Sequence, residues 1–139
     1  MNSGELTAAQ LKRIYQSLAE VPFAKLLGIE LEAIDTGVAI LALDVRDELK
    51  QNDGVVHGGA IAALVDTAAA FAVISLLPVD ERATTVDLTL NYLRPLRSGR
   101  ARATARVVKA GRRLIVVSAK MTDGAGNLAA TALTTYIRV

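Results

Sequence analysis

The chain has 139 residues, of which 52% are hydrophobic, 22% are charged and none is cysteine, and its formal net charge is +2. A chain of this length can bury roughly two thirds of its unfolded surface, so we expect residues 1–139 to form one domain. The absence of cysteine excludes disulfides, thiol nucleophiles and thiolate metal sites, and it fits a reducing cytoplasm.

The N-terminal segment has the pattern of an amphipathic helix. Apolar residues between Leu6 and Leu18 recur at helical spacing, and Val21-Pro22 should end the helix. We assign residues 1–22 to an N-terminal helix, because the segment lacks the basic region and the apolar run of a signal peptide. A cytoplasmic protein is therefore expected.

Two strands and a loop are expected next. Residues 29–35 alternate apolar and polar side chains, and residues 38–45 are more continuously apolar, with a turn at Thr36-Gly37 between them. This pattern predicts a hairpin. Residues 46–57 are polar and contain Asn52-Asp53-Gly54, which indicates a loop.

An alanine-rich apolar run extends from Gly58 to Leu77 and is closed by Pro78. Its length alone would permit a membrane span, but Asp66 at its centre costs about 2.5 to 3.5 kcal/mol on insertion scales. The run is also flanked on both sides by amphipathic strands. We therefore predict a long helix buried inside a folded protein, with no membrane partner.

The remainder of the chain is predicted to be β structure. Turn residues separate four further strands, at residues 83–92, 100–107, 113–122 and 128–139. Alternation in the first of them places Val86, Leu88 and Tyr92 on one face and Thr85 and Asp87 on the other. The fold class predicted is α+β, with an antiparallel sheet of about six strands packed on the long helix. Because that helix is apolar all round, another subunit is a natural cover for the side that the sheet leaves open.

The charge of the chain is divided unevenly. Residues 1–87 carry 6 basic and 13 acidic side chains, whereas residues 88–139 carry 10 basic and 1 acidic. Such a basic half suits a phosphate-bearing partner. The arginines at 100, 102 and 106 alternate with small residues, as on the solvated face of a strand, so we assign them mainly to that face. Nucleic acid is not expected as a partner, because aromatic residues make up only 4% and no binding motif is present.

Asp66 is the only charged residue between Asp53 and Asp80. Its neighbours one helical turn away are all alanines, at positions 62, 63, 69 and 70, and such a strip of small residues admits close approach by a ligand or a second backbone. One interpretation is a partly exposed aspartate on a helix edge. The other is a functional carboxylate, which burial without a partner would strengthen as a base.

Gly58 and Gly59 begin the long helix, where backbone N–H groups lack intrahelical acceptors and the helix dipole favours negative charge. A donor at this point would stabilise the oxyanion formed when a carbonyl is attacked, by roughly 2.7 to 4 kcal/mol. The alternative is a plain glycine turn. Gly58 lies about 12 Å from Asp66 along the helix at 1.5 Å per residue, so one carbonyl cannot touch both. If both groups serve one reaction, two helices must face each other across a two-fold axis, which predicts a dimer.

His57 is the only histidine, so a histidine metal cluster is not expected and no metal site is predicted. A Ser-His-Asp triad within the chain is also poorly supported. We expect the ring to bond backbone in the loop and to fix the Gly58 N–H.

A family resemblance rests on the residues around this helix. The pattern Gln51-x-x-Gly54-x-x-His57-Gly58-Gly59, followed by Leu64-x-Asp66-x-Ala68, resembles the hotdog-fold acyl-CoA thioesterases of the PaaI-like, phenylacetate-pathway type. The segments at residues 22–32, 85–99 and 111–136 are also similar to that family. One branch of hotdog thioesterases has glutamate and a later threonine on the helix, whereas this chain has Asp66 and Ala70. The resemblance implies a hotdog fold, hydrolysis of an acyl- or aryl-CoA to free acid and CoA, no cofactor, and a homotetramer built from dimers.

The resemblance also implies roles for individual residues. Asp66 would act as nucleophile or as general base toward water, and the Gly58 N–H would polarise the thioester carbonyl. Gln51 would orient water or the carbonyl, Thr85 would assist catalysis, and His57 would belong to the same catalytic loop. Because Asn52 lies next to Gln51 and Thr84 lies next to Thr85, each of these two assignments could be shifted by one residue. The substrate-binding residues implied are Asn52, Gly59, Ala70, Arg94, Arg97, Arg112 and Arg113, of which the four arginines are candidates for the CoA phosphates. The alternative function is a non-catalytic hotdog module that binds acyl-CoA as a sensor or scaffold.

Overall fold

The computed structural model describes residues 5–139, so the first four residues of the predicted N-terminal segment 1–22 lie outside it. Helices α1, α2 and α3 cover Ala8–Glu20, Pro22–Leu27 and Gly58–Ile74. Strands β1 to β6 cover Glu30–Asp35, Val38–Asp44, Ala83–Tyr92, Arg100–Ala110, Leu114–Thr122 and Leu128–Arg138. The predicted hairpin, the long helix and the four later strands are all confirmed.

The six strands form one sheet in the order β1-β2-β4-β5-β6-β3, and every neighbouring pair is antiparallel. The sheet packs against α3, which presents Leu64, Val65 and Phe71 to the core. This arrangement is the hotdog fold that the resemblance implied. Its two edge strands are β1 and β3, and β3 comes directly after α3 in the chain.

One face of α3 is only half-buried. It carries Ala63, Asp66, Ala70 and Ile74 at helical spacing. The helix ends at Ile74, three residues before the predicted end, where the buried Ser75 hydroxyl donates to Ala72 O at 2.7 Å and accepts from the Gly37 N–H at 2.7 Å. No helix within residues 5–139 is long and apolar enough to cross a membrane.

Helix α1 is fixed to the body of the fold at two points. Ile14 is fully buried in the core, and the Arg13 guanidinium donates to the carbonyl oxygens of Pro78 and Glu81 in the connection between α3 and β3. Thr7 and Gln10 form a reciprocal capping box at the start of the helix. The helix is therefore a fixed wall beside the second half of α3.

The arginines assigned to the solvated strand face form an ion-pair ladder. Arg100 contacts Glu30, Glu32 and Asp44, and Arg102 contacts Glu32 at 2.6 Å. The hydrogen bonds from Arg100 and Arg102 lower the pKa of Glu32. These two arginines join β4 to β1 and β2 and are neutralised there, whereas the third, Arg106, is exposed on the same strand.

Candidate active site

Asp66 lies at the middle of α3 and accepts two hydroxyl groups on the same carboxylate oxygen. Thr85 donates to Asp66 Oδ1 at 3.1 Å, and Tyr136 donates to the same atom at 3.0 Å. Oδ2 has no hydrogen-bond partner in the part of the chain that the structure describes. One oxygen is therefore held in place, and the other has no partner among the described residues.

Tyr136, which the sequence analysis missed, belongs to β6 and is only 3% exposed. Its hydroxyl also donates to the Asp66 backbone carbonyl at 3.0 Å. Burial raises the pKa of Tyr136, the bond with Thr85 opposes that rise, and the Asp66 carboxylate adds to it. The hydroxyl therefore stays protonated as a donor. The only sequence signal was a polar-tipped aromatic at an inward position of the last strand, which normally indicates core packing.

The alternation predicted for β3 is wrong at its start. The register of β3 against β6 shifts between Thr85 and Asp87, which leaves Val86 unpaired in a bulge and 58% exposed. A bulge adds one residue and reverses which side chains face the helix. Thr85, before the bulge, and Tyr92, after it, both contact α3, although the alternation placed them on opposite faces.

The N-terminus of α3 presents a free backbone donor. The Gly58 N–H donates to no acceptor within residues 5–139, while the Tyr92 hydroxyl donates to the Gly58 carbonyl oxygen at 2.8 Å. A Cβ at position 58 would lie 3.1 Å from the Tyr92 hydroxyl and ring, which is tighter than most real contacts. Glycine at this position therefore leaves room for both the tyrosine and an approaching ligand.

His57 caps the helix, but it does not fix the Gly58 N–H as predicted. Its Nδ1 accepts from the Gly59 N–H at 2.8 Å. An N-cap side chain reaches the second or third residue of the helix, and Gly59 is the second. A Cβ at Gly59 would lie 3.0 Å from that ring nitrogen. The consequence is that the Gly59 donor is occupied, and the Gly58 donor remains available.

Gln51 shares a cleft with the Gly58 donor. The cleft has a volume of about 410 Å³ and is lined by Gln51, Gly58, Tyr92 and Arg94 together with apolar residues. Asn52 begins the short helical turn Asn52–Gly54 and is absent from this lining. Of the two candidate amides, Gln51 and Asn52, only Gln51 lines the cleft that holds the Gly58 N–H. Of the two candidate threonines, Thr85 and not Thr84 contacts Asp66.

The four candidate arginines lie in two separate places. Arg94 and Arg97 line a second cleft, of about 680 Å³, next to the Gly58 cleft, and Arg97 donates to Asp53 O at 3.1 Å. Arg112 and Arg113 are exposed at the β4–β5 turn, near the opposite end of β6. The Arg94 N–H donates to Ala129 O at one end of β6, and the Arg138 N–H donates to Arg113 O at the other end. These two positions on β6 are nine residues apart, which is about 30 Å along a strand.

The residues around Asp66 only partly match the predicted alanine strip. Ala62, Ala63 and Ala70 are half-buried, whereas Ala69 is fully buried in the core. Gly58 and Asp66 are eight residues apart on a continuous helix, or about 12 Å along its axis. No cluster of metal-binding side chains occurs among residues 5–139. In a single chain, therefore, the free Gly58 N–H and the Asp66 carboxylate lie too far apart to contact one carbonyl group.

Comparison with known proteins gives a consistent result. The sequence profile of the Thioesterase superfamily matches residues 53–130. The chain is 32% identical over 127 residues to a protein of Saccharolobus solfataricus that carries an esterase name, covering 91% of this chain and 84% of that protein. It is 30% identical over 152 residues to the medium/long-chain acyl-CoA thioesterase YigI of Escherichia coli, covering 97% of this chain and 98% of that protein. The PaaI protein from the phenylacetic acid degradation operon of Escherichia coli has a similar fold, with a TM-score of 0.89, 24% identity and coverage of 96% of both chains.

Proposed function

Because this chain belongs to the thioesterase superfamily and is a thioester hydrolase, we propose that it hydrolyses acyl-CoA at a site shared by two copies of the chain. The observation that carries the proposal is the separation of the free Gly58 N–H from the Asp66 carboxylate, about 12 Å on one rigid helix. Each chain supplies half of two sites, and residues 1–139 act as one domain.

The free oxygen of Asp66 performs the first step. In one route Oδ2 takes a proton from water, and the resulting hydroxide attacks the thioester carbon. In the other route Oδ2 attacks that carbon itself, and water later hydrolyses the mixed anhydride. In the first route the proton that Oδ2 took from water passes to the CoA sulfur as the C–S bond breaks. In the second route the C–S bond breaks to release the CoA thiolate, which takes a proton from solvent, and the later hydrolysis returns Asp66 as a carboxylate. The hydroxyls of Thr85 and Tyr136 hold Oδ1, so that Oδ2 points in one direction.

The Gly58 N–H of the second copy stabilises the oxyanion that forms on the carbonyl. It lies at a helix N-terminus, where the dipole adds to the hydrogen bond. The occupied Gly59 N–H leaves Gly58 as the available donor of the pair. Gln51, in the same cleft, orients the carbonyl or the water.

The edge strand β3 is the surface through which the two copies pair. It is ten residues long, rich in threonine, and contains a single charged residue, Asp87. The exposed side chains on and beside it include Val86, Tyr92 and Leu133, each more than half exposed. Antiparallel pairing of two β3 strands about a two-fold axis places the two α3 helices side by side in opposite directions. Assembly of dimers into a tetramer rests on the resemblance to the PaaI-like family.

CoA binds on the chain that supplies Gly58. Arg94 and Arg97 line clefts that adjoin this donor. The nearby acidic side chain is Asp123, whose pKa is lowered by the hydrogen bond from the Asn127 N–H and, to a lesser extent, by the Arg94 charge. The CoA diphosphate and 3′-phosphate suit guanidinium groups, which bind phosphate through two parallel hydrogen bonds. Arg112 and Arg113, at the far end of the sheet, are weaker candidates.

The test is release of CoA from a panel of acyl-CoAs that differ in the acyl group. Wild-type protein should hydrolyse at least one member, and Asp66→Asn should lower kcat by about 10²- to 10⁴-fold with little change in KM. Asp47→Asn, on an exposed loop, is the matched control and should leave kcat unchanged. Full activity of Asp66→Asn would overturn the mechanism. Tight acyl-CoA binding without turnover would instead identify a sensor or scaffold.

A further inference from the structure

Tyr92 is the last residue of the edge strand β3, and its side chain reaches the first turn of α3. Its hydroxyl donates to the Gly58 carbonyl oxygen at 2.8 Å. Unlike Tyr136, which is 3% exposed, Tyr92 is 53% exposed. Core packing therefore does not account for this tyrosine, whose hydroxyl bonds the residue that carries the free donor.

The two peptide units that meet at the Gly58 Cα are held by hydrogen bonds. In the unit before it, the His57 carbonyl oxygen accepts from the Ala60 N–H at 2.9 Å. In the unit after it, the Gly59 N–H donates to His57 Nδ1 at 2.8 Å. The carbonyl oxygen of that second unit is the one that accepts from Tyr92. The remaining polar group of the two units is the Gly58 N–H, which has no acceptor within residues 5–139.

The bond from Tyr92 differs from the other two in what it connects. The bonds of His57 are local to the start of the helix, whereas Tyr92 lies 34 residues away from Gly58 on another element. The tyrosine is therefore the group that ties the first turn of α3, and with it the free donor, to the edge of the sheet.

Glycine at position 58 explains why such a bond is needed. Glycine has the widest backbone freedom of all residues, and the ends of a helix are the parts that fray. A larger residue would restrict the backbone, but its Cβ would lie 3.1 Å from the Tyr92 hydroxyl. A displacement of about 1 Å at a catalytic group can cost about 100-fold in rate. The bond from Tyr92 therefore supplies the rigidity that glycine lacks.

We infer that Tyr92 is a positioning residue that fixes the Gly58 N–H of its own chain toward the thioester carbonyl at the Asp66 of the other copy. This inference rests on the proposed function, because it assigns the Gly58 N–H to the oxyanion. Tyr92 belongs to β3, the strand through which the two copies pair in the proposed dimer. One strand thus sets both the approach of the second copy and the direction of the donor. The hydroxyl, and not the ring, has this role.

Tyr92→Phe removes the hydroxyl and keeps the ring. We expect kcat to fall by about three- to tenfold, which is the effect of one lost hydrogen bond. KM for acyl-CoA should stay nearly constant, because the bond is made to the backbone and not to the substrate. An unchanged kcat would overturn the inference. A rise in KM alone would also overturn it, since Tyr92 would then contact the substrate directly.

Mixed dimers separate positioning of the donor from a general effect on the interface. A dimer of one Asp66→Asn chain and one Gly58→Pro chain has one intact site, whose donor comes from the Asp66→Asn chain. Tyr92→Phe on that chain should lower the restored activity by about three- to tenfold. The same substitution on the Gly58→Pro chain is the matched comparison. It should not alter the restored activity, because that chain has already lost its donor and supplies only the carboxylate.

Each outcome of the mixed dimers has a distinct meaning. Equal losses from the two placements would contradict the inference, because Tyr92 would then act on the pairing of the chains and not on one donor. A loss from the Gly58→Pro chain alone would assign Tyr92 to the carboxylate half of the site and would contradict it as well. If the parent mixture regains no activity, the shared site fails and the inference fails with it. If wild-type protein hydrolyses no acyl-CoA, the proposed function itself fails.

Discussion

The two regions of α3 that the proposed mechanism uses differ in what they are made of. At the N-terminus the proposed carbonyl-binding atom is a backbone N–H, at the first residue of the helix and in a cleft shared with Tyr92 and Arg94. At the middle the proposed reactive atom is a side-chain oxygen, on a carboxylate held by two hydroxyls. The first region has a donor without an acceptor, and the second has a carboxylate oxygen without a partner. Each region therefore lacks the group that the other supplies, and the experiments below test that pairing.

After the loss expected for Asp66→Asn, the largest effect is expected at the backbone donor. Gly58→Pro removes the N–H at the first position of the helix, where proline is tolerated, and His57 already has the extended conformation that precedes proline, with φ −60° and ψ 134°. We expect kcat to fall by about 10²- to 10³-fold. Gly58→Ala adds the same contact with Tyr92 but keeps the N–H, so the fall in kcat should be much smaller in this variant. Equal losses in the two variants would show that crowding, and not the donor, matters.

Mixing two inactive variants tests whether the two regions meet across chains. A dimer of one Gly58→Pro chain and one Asp66→Asn chain contains one intact site and one site with both defects. Co-refolding equal amounts should therefore restore about a quarter of the wild-type activity, because half of the dimers are mixed. Mixtures that remain as inactive as their components would place each whole site within one chain.

A smaller effect is expected at the hydroxyl groups that hold Asp66. Tyr136→Phe removes one of two donors to Oδ1 and should lower kcat by about three- to tenfold, while KM stays nearly constant. Thr85→Val should act in the same direction. Tyr15→Phe is the control, because Tyr15 is 58% exposed on α1 and should have no effect. A change in KM alone would mean that Tyr136 contributes to substrate binding without positioning the Asp66 carboxylate.

The smallest effect is expected at the cleft that Arg94 and Arg97 line. Arg94→Gln should raise KM for acyl-CoA by a few-fold, less so at high salt, because an exposed charge pair is weak and screened. Acyl-pantetheine, which lacks the nucleotide, should show no difference between wild type and variant. Arg106→Gln, at an exposed position of β4, is the control. An equal rise in KM for acyl-pantetheine would remove Arg94 from phosphate binding.

Much of the fold could be predicted from the sequence, because hydrophobic periodicity decides which segments are helices and strands. The helix from Gly58 and the six strands followed from alternation, turn residues and the alanine-rich run. Asp66 and Gly58 could be proposed as site residues because one is a lone charge in an apolar run and the other begins a helix. Their separation followed from the helical rise alone.

The supporting residues could not be predicted in the same way. Tyr136 is 70 residues from Asp66 in sequence, and only the register of β6 against β3 brings it there. The bulge at Val86 is an extra residue that leaves no mark in the alternation, yet it turns Thr85 toward the helix. Arg94 and Arg113 look like members of one basic segment, but strand β4 carries the chain to the other end of the sheet between them.

The ion-pair ladder on β1 has a consequence for how many copies can join. A sheet with two open edges can grow without limit, one chain after another. Strand β1 carries Glu30, Glu32 and Asp35 within six residues, and a register shift interrupts its pairing between Leu31 and Ala33. A second chain arriving there would meet an irregular edge, lined by carboxylates of which Glu30 and Glu32 are already paired with Arg100. In the dimer proposed above, growth along the sheet would therefore stop once the two β3 strands had paired, and a fibre is not expected.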